Sequence, residues 1–252
     1  MEASVRQPLE WRAGFRPGKS RYFFVALGVL FIAIAIAGFG PSFYEYFTGA
    51  FYFPPIVHVH GALMIGWLAL YATQAGLASR RNLDLHRRLG VAATVLAPLL
   101  WSSMFVATIV AFKRHEPDGE MSFMTAVLLI QLGLIMLFPV FVTWGLLARR
   151  RAQWHKRMMT FASLILLQAA VDRMHWLPDE GLPMFWHHGL RLYILMIPLF
   201  VFDFVSLRRI HPATLICAGL TVAMHTIVSA YWADAGWNAL ARAFWIWIRG
   251  PA

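Results

Sequence analysis

The stretch Tyr22–Phe39 reads YFFVALGVLFIAIAIAGF and contains no charged residue. A helix needs about 20 mostly apolar residues to cross a bilayer, so this stretch predicts a membrane span. Arg12, Arg16, Lys19 and Arg21 precede it, and it lacks a small-residue cleavage site. These flanks favour a retained span over a cleaved secretory signal.

Further runs of the same kind follow along the chain. They are much longer than the roughly 9–11 residues of a membrane-barrel strand, so they predict helices. We therefore expect an all-α integral membrane protein with seven transmembrane helices, forming one transmembrane domain over residues 1–252. The expected spans are Tyr22–Phe39, Ile56–Ser79, Leu89–Phe112, Met121–Ala148, Met158–Trp176, Trp186–Leu207 and Ala213–Trp232.

Composition and charge agree with this class of protein. The chain is 60% hydrophobic and 13% charged, with a net charge of +10. A soluble domain carries about 25% charged residues, so a basic nucleic-acid-binding surface on a soluble core is excluded. The single cysteine, Cys217, excludes a disulfide scaffold.

The distribution of the basic residues predicts the orientation. A cytoplasmic N-terminus leaves sixteen of the 22 Lys and Arg residues on the cytoplasmic side, as the positive-inside rule requires. We expect a bacterial cytoplasmic (inner) membrane, a cytoplasmic basic tail over residues 1–21, and an outer C-terminus. Residues 237–249 carry Trp and Arg at helical spacing and predict a short interfacial helix.

Two connections between spans repeat one pattern, R-R-x4-H-[RK]-R-[LM], beginning at Arg80 and at Arg149. Each connection joins an inward-running span to an outward-running one, which predicts a parallel repeat of helical hairpins, spans 2–3 and 4–5. Charge of this kind also serves topology and contacts with lipid headgroups. A cation-rich helix start binds anions, such as a phospholipid phosphate, a haem propionate or an acidic loop. The candidate inner-face anion or lipid site contains His86, Arg87, Arg88, His155, Lys156 and Arg157.

The other polar residues concentrate near the expected outer ends of the spans. Ionisable groups inside a membrane are costly and mark functional sites by default. Interhelical hydrogen bonds are the plain alternative for any one of them. The set comprises His58, His60, Asp172, Arg173, His175, His187, His188, Arg191 and His225.

We expect His60 and His225 to share a depth if their spans are neighbours, and one imidazole from each of two helices is how four-helix cytochromes hold b-type haem. We expect b-type haem or a quinone-like redox partner in an electron-transfer role. His60 and His225 are the ligands to haem iron or copper, with His175, His187 or His188 as substitutes. Arg173 and Arg191 would hold acidic groups, and Asp172 would orient a histidine.

Two further functions stay open. Copper handling, or assembly of a respiratory complex, would use thioethers beside imidazoles, because soft ligands suit Cu(I). An accessory structural subunit without a cofactor would use the histidines only between helices. The thioethers concerned are Met121, Met124, Met174, Met184 and Met224.

Other chemistries lack their motifs. There is no Gly-rich phosphate loop and no mid-span lysine for a retinal Schiff base. We expect Asp203, near the inner end of the sixth span, to cap that end beside Arg208.

Several phrases resemble a family of multi-span bacterial membrane proteins whose function is not established. They are His58-Val-His60-Gly61, Leu85-His86-Arg87-Arg88-Leu89-Gly90, His155-Lys156-Arg157-Met158, Asp172-Arg173 and His211-Pro212-Ala213-Thr214. The resemblance covers spans 2–7. The loop type is similar to that of small membrane proteins linked to terminal-oxidase assembly, and the helix-borne histidines are similar in style to those of cytochrome b families. Neither likeness implies a ligand assignment by residue.

Overall fold

The computed structural model describes residues 22–50, 52–115, 121–177, 184–232 and 234–249. Within these ranges the chain forms nine helices and no strand, as expected for an all-α protein. The helices are α1 (Phe23–Phe47), α2 (Pro55–Ser79), α3 (Leu83–His115), α4 (Met121–Leu147), α5 (Ala152–Ile165), α6 (Gln168–Asp172), α7 (Met184–Leu207), α8 (Pro212–Tyr231) and α9 (Ala235–Arg249).

Six helices of the described chain are long and apolar enough to cross a membrane: α1, α2, α3, α4, α7 and α8. Their outward faces carry large apolar side chains, such as Ile36, Val91 and Met136, which are more than half exposed. Such faces suit a hydrocarbon solvent, which imposes no cost on exposed apolar groups. The chain therefore has the architecture of a multi-pass membrane protein.

The expected fifth span, Met158–Trp176, differs from the other six. Its helix α5 begins earlier, at Ala152, and ends at Ile165. A turn over Leu166 and Leu167 separates it from the five-residue α6. Backbone bonds of the tighter i→i+3 type stabilise the turn, including Leu167 N–H to the Leu164 carbonyl at 3.0 Å. The segment is thus a broken helix, and neither half has the length of a span.

The broken helix forms the centre of the bundle. All residues from Arg157 to Ile165 except Met159 are buried. Helix α5 packs against α1, α2, α4, α7 and α8, and α6 packs against α1 and α7. The close approach of α1 depends on Gly38, because a Cβ there would lie 2.3 Å from the Ala170 carbonyl oxygen. Because other helices surround α5, this helix needs no apolar surface facing lipid.

The connections α2–α3, α4–α5 and α7–α8 meet at one end of the bundle, here called the basic end, and the other end is called the opposite end. Near the opposite end, α9 packs on α3 and α4 through Ala241 and Trp245, which contact Phe112 and Leu128. The indole N–H of Trp237 donates to the Thr125 carbonyl at 2.7 Å. Exposed apolar side chains on α9, including Trp247, leave an amphipathic helix, as expected for residues 237–249.

Candidate functional site

The central broken helix carries a row of polar side chains that we call the polar seam. Its members recur every three to five residues, so they follow a helical face. Most of them hydrogen-bond a side chain on another helix: Arg157 bonds α7, Thr160 and Ser163 bond α2, and Gln168 bonds α8. The seam consists of Gln153, Arg157, Thr160, Ser163, Gln168 and Asp172.

At the opposite end, the seam continues into a hydrogen-bonded chain. His225 Nε2 lies 3.1 Å from Gln168 Oε1, and Gln168 Nε2 donates to Asp172 Oδ1 at 2.8 Å. Because Gln168 uses its amide nitrogen toward Asp172, its oxygen is the acceptor, and His225 Nε2 carries the proton. His225 is 0% exposed and Gln168 1% exposed. The three side chains form a hydrogen-bonded polar chain that runs from the buried His225 and Gln168 to the half-buried Asp172 at the C-terminal end of α6.

Two arginines lie beside this chain and bond backbone carbonyls. Arg191 donates to the Val171 carbonyl at 2.9 Å and to the Leu177 carbonyl at 3.0 Å. Arg173 donates to the Ala169 carbonyl at 2.7 Å, and its guanidinium lies 4.8 Å from the Phe39 ring centroid. Cations near helix carbonyls stabilise a C-terminal end, so both arginines fix the end of α6.

His60 hydrogen-bonds a different helix from the one that His225 bonds. Its Nδ1 is 2.9 Å from Ser103 Oγ on α3. Ser103 donates its own hydroxyl hydrogen to the Leu100 carbonyl at 2.7 Å, so His60 Nδ1 is the donor. His60 thus bonds α3 while His225 bonds the start of α6, and these bonds do not bring the two rings together.

The remaining residues expected at this end are placed separately. His58 is exposed and packs edge-on against the Tyr46 ring at 4.9 Å, and His175 is exposed. The side chains of His187 and His188, and of Met121 and Met184, lie outside the described residues. Met124, Met174 and Met224 are buried. Within the described ranges, no group of three or more His, Cys, Asp or Glu side chains is arranged to hold a metal ion.

At the basic end, the seam contains a buried ion pair between Arg157 and Asp203, both 0% exposed. Arg157 Nε donates to Asp203 Oδ1 at 2.9 Å, and Nη2 makes a second, short bond. The backbone N–H of His211 donates to Oδ2 at 3.0 Å, and the Thr214 hydroxyl donates to it at 2.5 Å. Gln153 accepts the remaining guanidinium bonds through its carbonyl and Oε1. This network ties α5, α7 and α8 together.

This network changes two expectations. Arg157 was expected at an inner-face anion site, but it is fully buried and paired with Asp203. Asp203 was expected beside Arg208, but its bonds go to Arg157 and to the start of α8. The physical reason is that an ionised carboxylate inside the bundle needs several donors, and the central helix provides a charged one.

Lys156 also turns into the bundle. Its Nζ lies 4.7 Å from the centroid of Phe24 and 5.3 Å from that of Phe202. An ammonium group over an aromatic face is held by the ring quadrupole. The two cations that follow His155 are therefore engaged with other helices.

The two histidines of the repeated pattern meet at the basic end. The ring centroids of His86 and His155 lie 6.2 Å apart, with the rings at 83°. His86 Nδ1 is 3.2 Å from the Gln74 carbonyl, and His155 Nδ1 is 2.8 Å from the Gly145 carbonyl. Gln74 Nε2 returns a bond to the His86 carbonyl at 3.1 Å. Each ring is therefore anchored to the end of the preceding long helix.

Sequence reasoning missed several of these partners. Gln153 precedes Arg157 by four residues, the spacing at which helix side chains meet, and this was the available signal. Ser103 and Thr214 carried no signal, because single hydroxyl residues are common in membrane helices.

Comparisons with known proteins add no identity: no family model, curated protein or solved structure matches this chain.

Proposed function

We propose that the chain crosses a bacterial cytoplasmic membrane seven times, with the broken helix α5–α6 as the fifth crossing and the basic end in the cytoplasm. The excess of basic residues in the connections of the basic end supports this orientation. A parallel repeat of the hairpins α2–α3 and α4–α5 completes the proposed topology. Its support is the meeting of His86 and His155, which stand at equivalent positions of the repeated pattern.

We further propose that the outer half of the bundle binds a quinone-type redox partner. The observation that carries the proposal is the hydrogen-bonded chain from His225 through Gln168 to Asp172. The reduced (quinol) head group presents hydroxyls that donate hydrogen bonds, and a neutral imidazole whose Nε2–H is directed to Gln168 has an acceptor nitrogen, Nδ1, for such a hydroxyl. An ionisable group inside a membrane marks a functional site by default, and here Gln168 and Asp172 hold the imidazole in one orientation.

Of the three hydrogen-bonded side chains, Asp172 lies nearest the proposed outer face. It stands at the end of α6, next to two arginines that fix the local backbone. His225 is the innermost group and lies edge-on to Tyr193, with ring centroids 5.3 Å apart. In this proposal His225 meets the head group, Gln168 orients the imidazole, and Asp172 fixes the Gln168 amide.

The test is a binding titration on the full chain in lipid nanodiscs. A short-chain quinone is added, and quenching of tryptophan fluorescence is followed. His225→Gln is expected to weaken quinone binding about tenfold or more. The reason is that loss of the hydrogen bond between the imidazole and the head group costs about 1.4 kcal/mol or more. The matched control is His58→Gln, which removes an exposed histidine and should leave the affinity unchanged.

Three outcomes overturn the proposal. Equal quinone affinity in the wild type and His225→Gln would show that the hydrogen-bonded side chains do not contact the quinone. A Soret band in protein expressed with ample haem, lost in the same variant, would replace the quinone with haem. Absence of any bound quinone or haem would favour an accessory structural subunit.

A further inference from the structure

The strongest feature outside the proposed redox site is the histidine pair at the basic end. Both Nδ1 atoms lie within hydrogen-bond distance of backbone carbonyls, at 3.2 Å for His86 and 2.8 Å for His155. A carbonyl only accepts, so Nδ1 carries the hydrogen in each ring. In the neutral imidazole the lone pair then belongs to Nε2. This tautomer, anchored through Nδ1–H to a carbonyl, is the form in which histidine binds metals through Nε2.

The separation of the two rings matches a shared ion. A metal–nitrogen bond of about 2.0–2.1 Å places each ring centroid about 3.2 Å from the metal, so two imidazoles on opposite sides are separated by about 6.4 Å. The observed distance between the centroids of His86 and His155 is 6.2 Å. A shared ion at this separation requires the two Nε2 atoms to lie on opposite sides of it, in a nearly linear arrangement.

Two of the cations beside the pair are engaged inside the bundle, whereas the arginines at 80, 81, 87, 88 and 149–151 are exposed. Arg157 is neutralised by Asp203, and Lys156 is directed onto the Phe24 and Phe202 rings. Arg87 lies 3.4 Å from Asp84, and its side chain is 73% exposed. Exposed arginine charges are screened by water and salt. The remaining positive field favours an ion of low charge over a divalent one.

The same chemistry argues against an anion at these nitrogens. An anion needs donors, whereas a neutral ring with its Nδ1–H committed presents an acceptor at Nε2. Protonating both rings would place two positive charges about 6 Å apart, among further cations, at a Coulombic cost. The imidazole pair is therefore better suited to a cation that accepts lone pairs.

We propose that His86 and His155 together bind one monovalent copper ion through their Nε2 atoms. Imidazole is a good ligand for copper, and a near-linear pair of nitrogen donors suits the monovalent ion. Among the residues that the structure describes, no third His, Cys, Asp or Glu joins the two rings as a ligand. The repeated pattern supplies both ligands, one from each hairpin, so the ion joins α3 to α5. This site lies at the basic end, whereas the proposed quinone site lies toward the opposite end. The copper proposal does not depend on the quinone proposal.

The experiment measures Cu(I) affinity of the purified full chain under anaerobic, reducing conditions, by competition with a chromophoric Cu(I) chelator. We expect one bound copper per chain in the wild type. His86→Gln and His155→Gln should each weaken binding at least tenfold, because each removes half of the ligand set. His58→Gln is the matched control and should keep the wild-type affinity, and His225→Gln should keep it too.

X-ray absorption of the copper-loaded wild type gives a readout that needs no variant. The expected first shell contains two imidazole nitrogens and no sulfur. A sulfur ligand, or copper binding that survives both substitutions, would overturn the proposal, as would absence of stoichiometric binding in the wild type. Quinone affinity in His86→Gln distinguishes the two proposals, since it should stay unchanged whether or not copper is bound.

Discussion

The Arg157–Asp203 pair provides the sharpest test of how the bundle is held together. Asp203→Asn leaves the Arg157 guanidinium buried without a countercharge and turns one acceptor oxygen into a donor facing other donors. Breaking a buried ion pair from one side costs about 3–5 kcal/mol. For a chain of this size that corresponds to a fall in Tm of about 6–20 °C.

The double variant Arg157→Met with Asp203→Asn separates the charge effect from the hydrogen bonds. It removes both charges, and the asparagine oxygen still accepts from the start of α8. We expect it to be more stable than Asp203→Asn alone, because replacing both members of a buried pair is far less costly than replacing one. The two substitutions should therefore be strongly non-additive.

The assay follows the thiol of Cys217, which is the single cysteine of the chain and is 0% exposed. A fluorogenic maleimide reacts with it only on unfolding, so a temperature ramp in detergent reports Tm. The control is Asp84→Asn, which breaks an exposed pair with Arg87 and should cost about 0–1 kcal/mol. The reasoning is refuted if Asp203→Asn shifts Tm no more than this control, or if the double variant is as unstable as the sum of its parts.

Three further predictions are also measured as shifts in Tm, and the pH series follows tryptophan fluorescence because thiols react too slowly with maleimide at acidic pH. Burial and the nearby Arg157 lower the pKa of His211 to about 4 from 6.5, so the unfolded chain binds more protons in this window. Stability should fall as the pH drops from about 6.5 to about 4. His211→Asn keeps an N-cap acceptor and should flatten this dependence of Tm on pH. An equally steep dependence in the variant would contradict the role given to His211. Gly38→Ala should destabilise the bundle by about 1–3 kcal/mol through a clash with the Ala170 carbonyl, whereas Gly40→Ala meets open space and should not lower Tm. Trp67→Phe loses an interhelical bond of 3.1 Å and should cost about 1 kcal/mol; a larger loss would indicate a role in packing.

The elements that the sequence predicts well are those dictated by the bilayer. The long apolar runs become α1, α2, α3, α4, α7 and α8, because a hydrocarbon environment requires apolar faces and internal backbone bonds. The start of α2 at Pro55 follows from the suitability of proline for the first helical turn. These features depend on local composition, so one amino-acid sequence is enough to predict them.

The fifth run illustrates where this reasoning stops. Its apolar composition resembles that of the other runs, yet it folds as the broken helix α5–α6 in the centre of the bundle. No proline or glycine marks the turn at Leu166 and Leu167. The break accompanies the packing of α1 at Gly38, a contact between residues far apart in the chain. Local patterns do not contain such contacts.

The candidate sites divide in the same way. Depth along each helix suggested His60 and His225 as a pair, but neighbours around a bundle depend on helix order, and the two rings bond different helices. The repeated pattern groups His86 with His155, and their ring centroids lie 6.2 Å apart. Repetition in sequence was therefore a better guide to proximity than depth.

The buried pair also has a consequence for the order in which the bundle is made. Arg157 and Asp203 are 46 residues apart, so at about 5–20 residues per second the carboxylate is synthesised roughly 2–9 s after its partner. During that interval the guanidinium has no countercharge, and an arginine in the membrane costs up to about 2.5–3.5 kcal/mol on the insertion scale. The salt bridge can form only after α7 has been made, so the final packing of α5 against α7 follows the synthesis of Asp203.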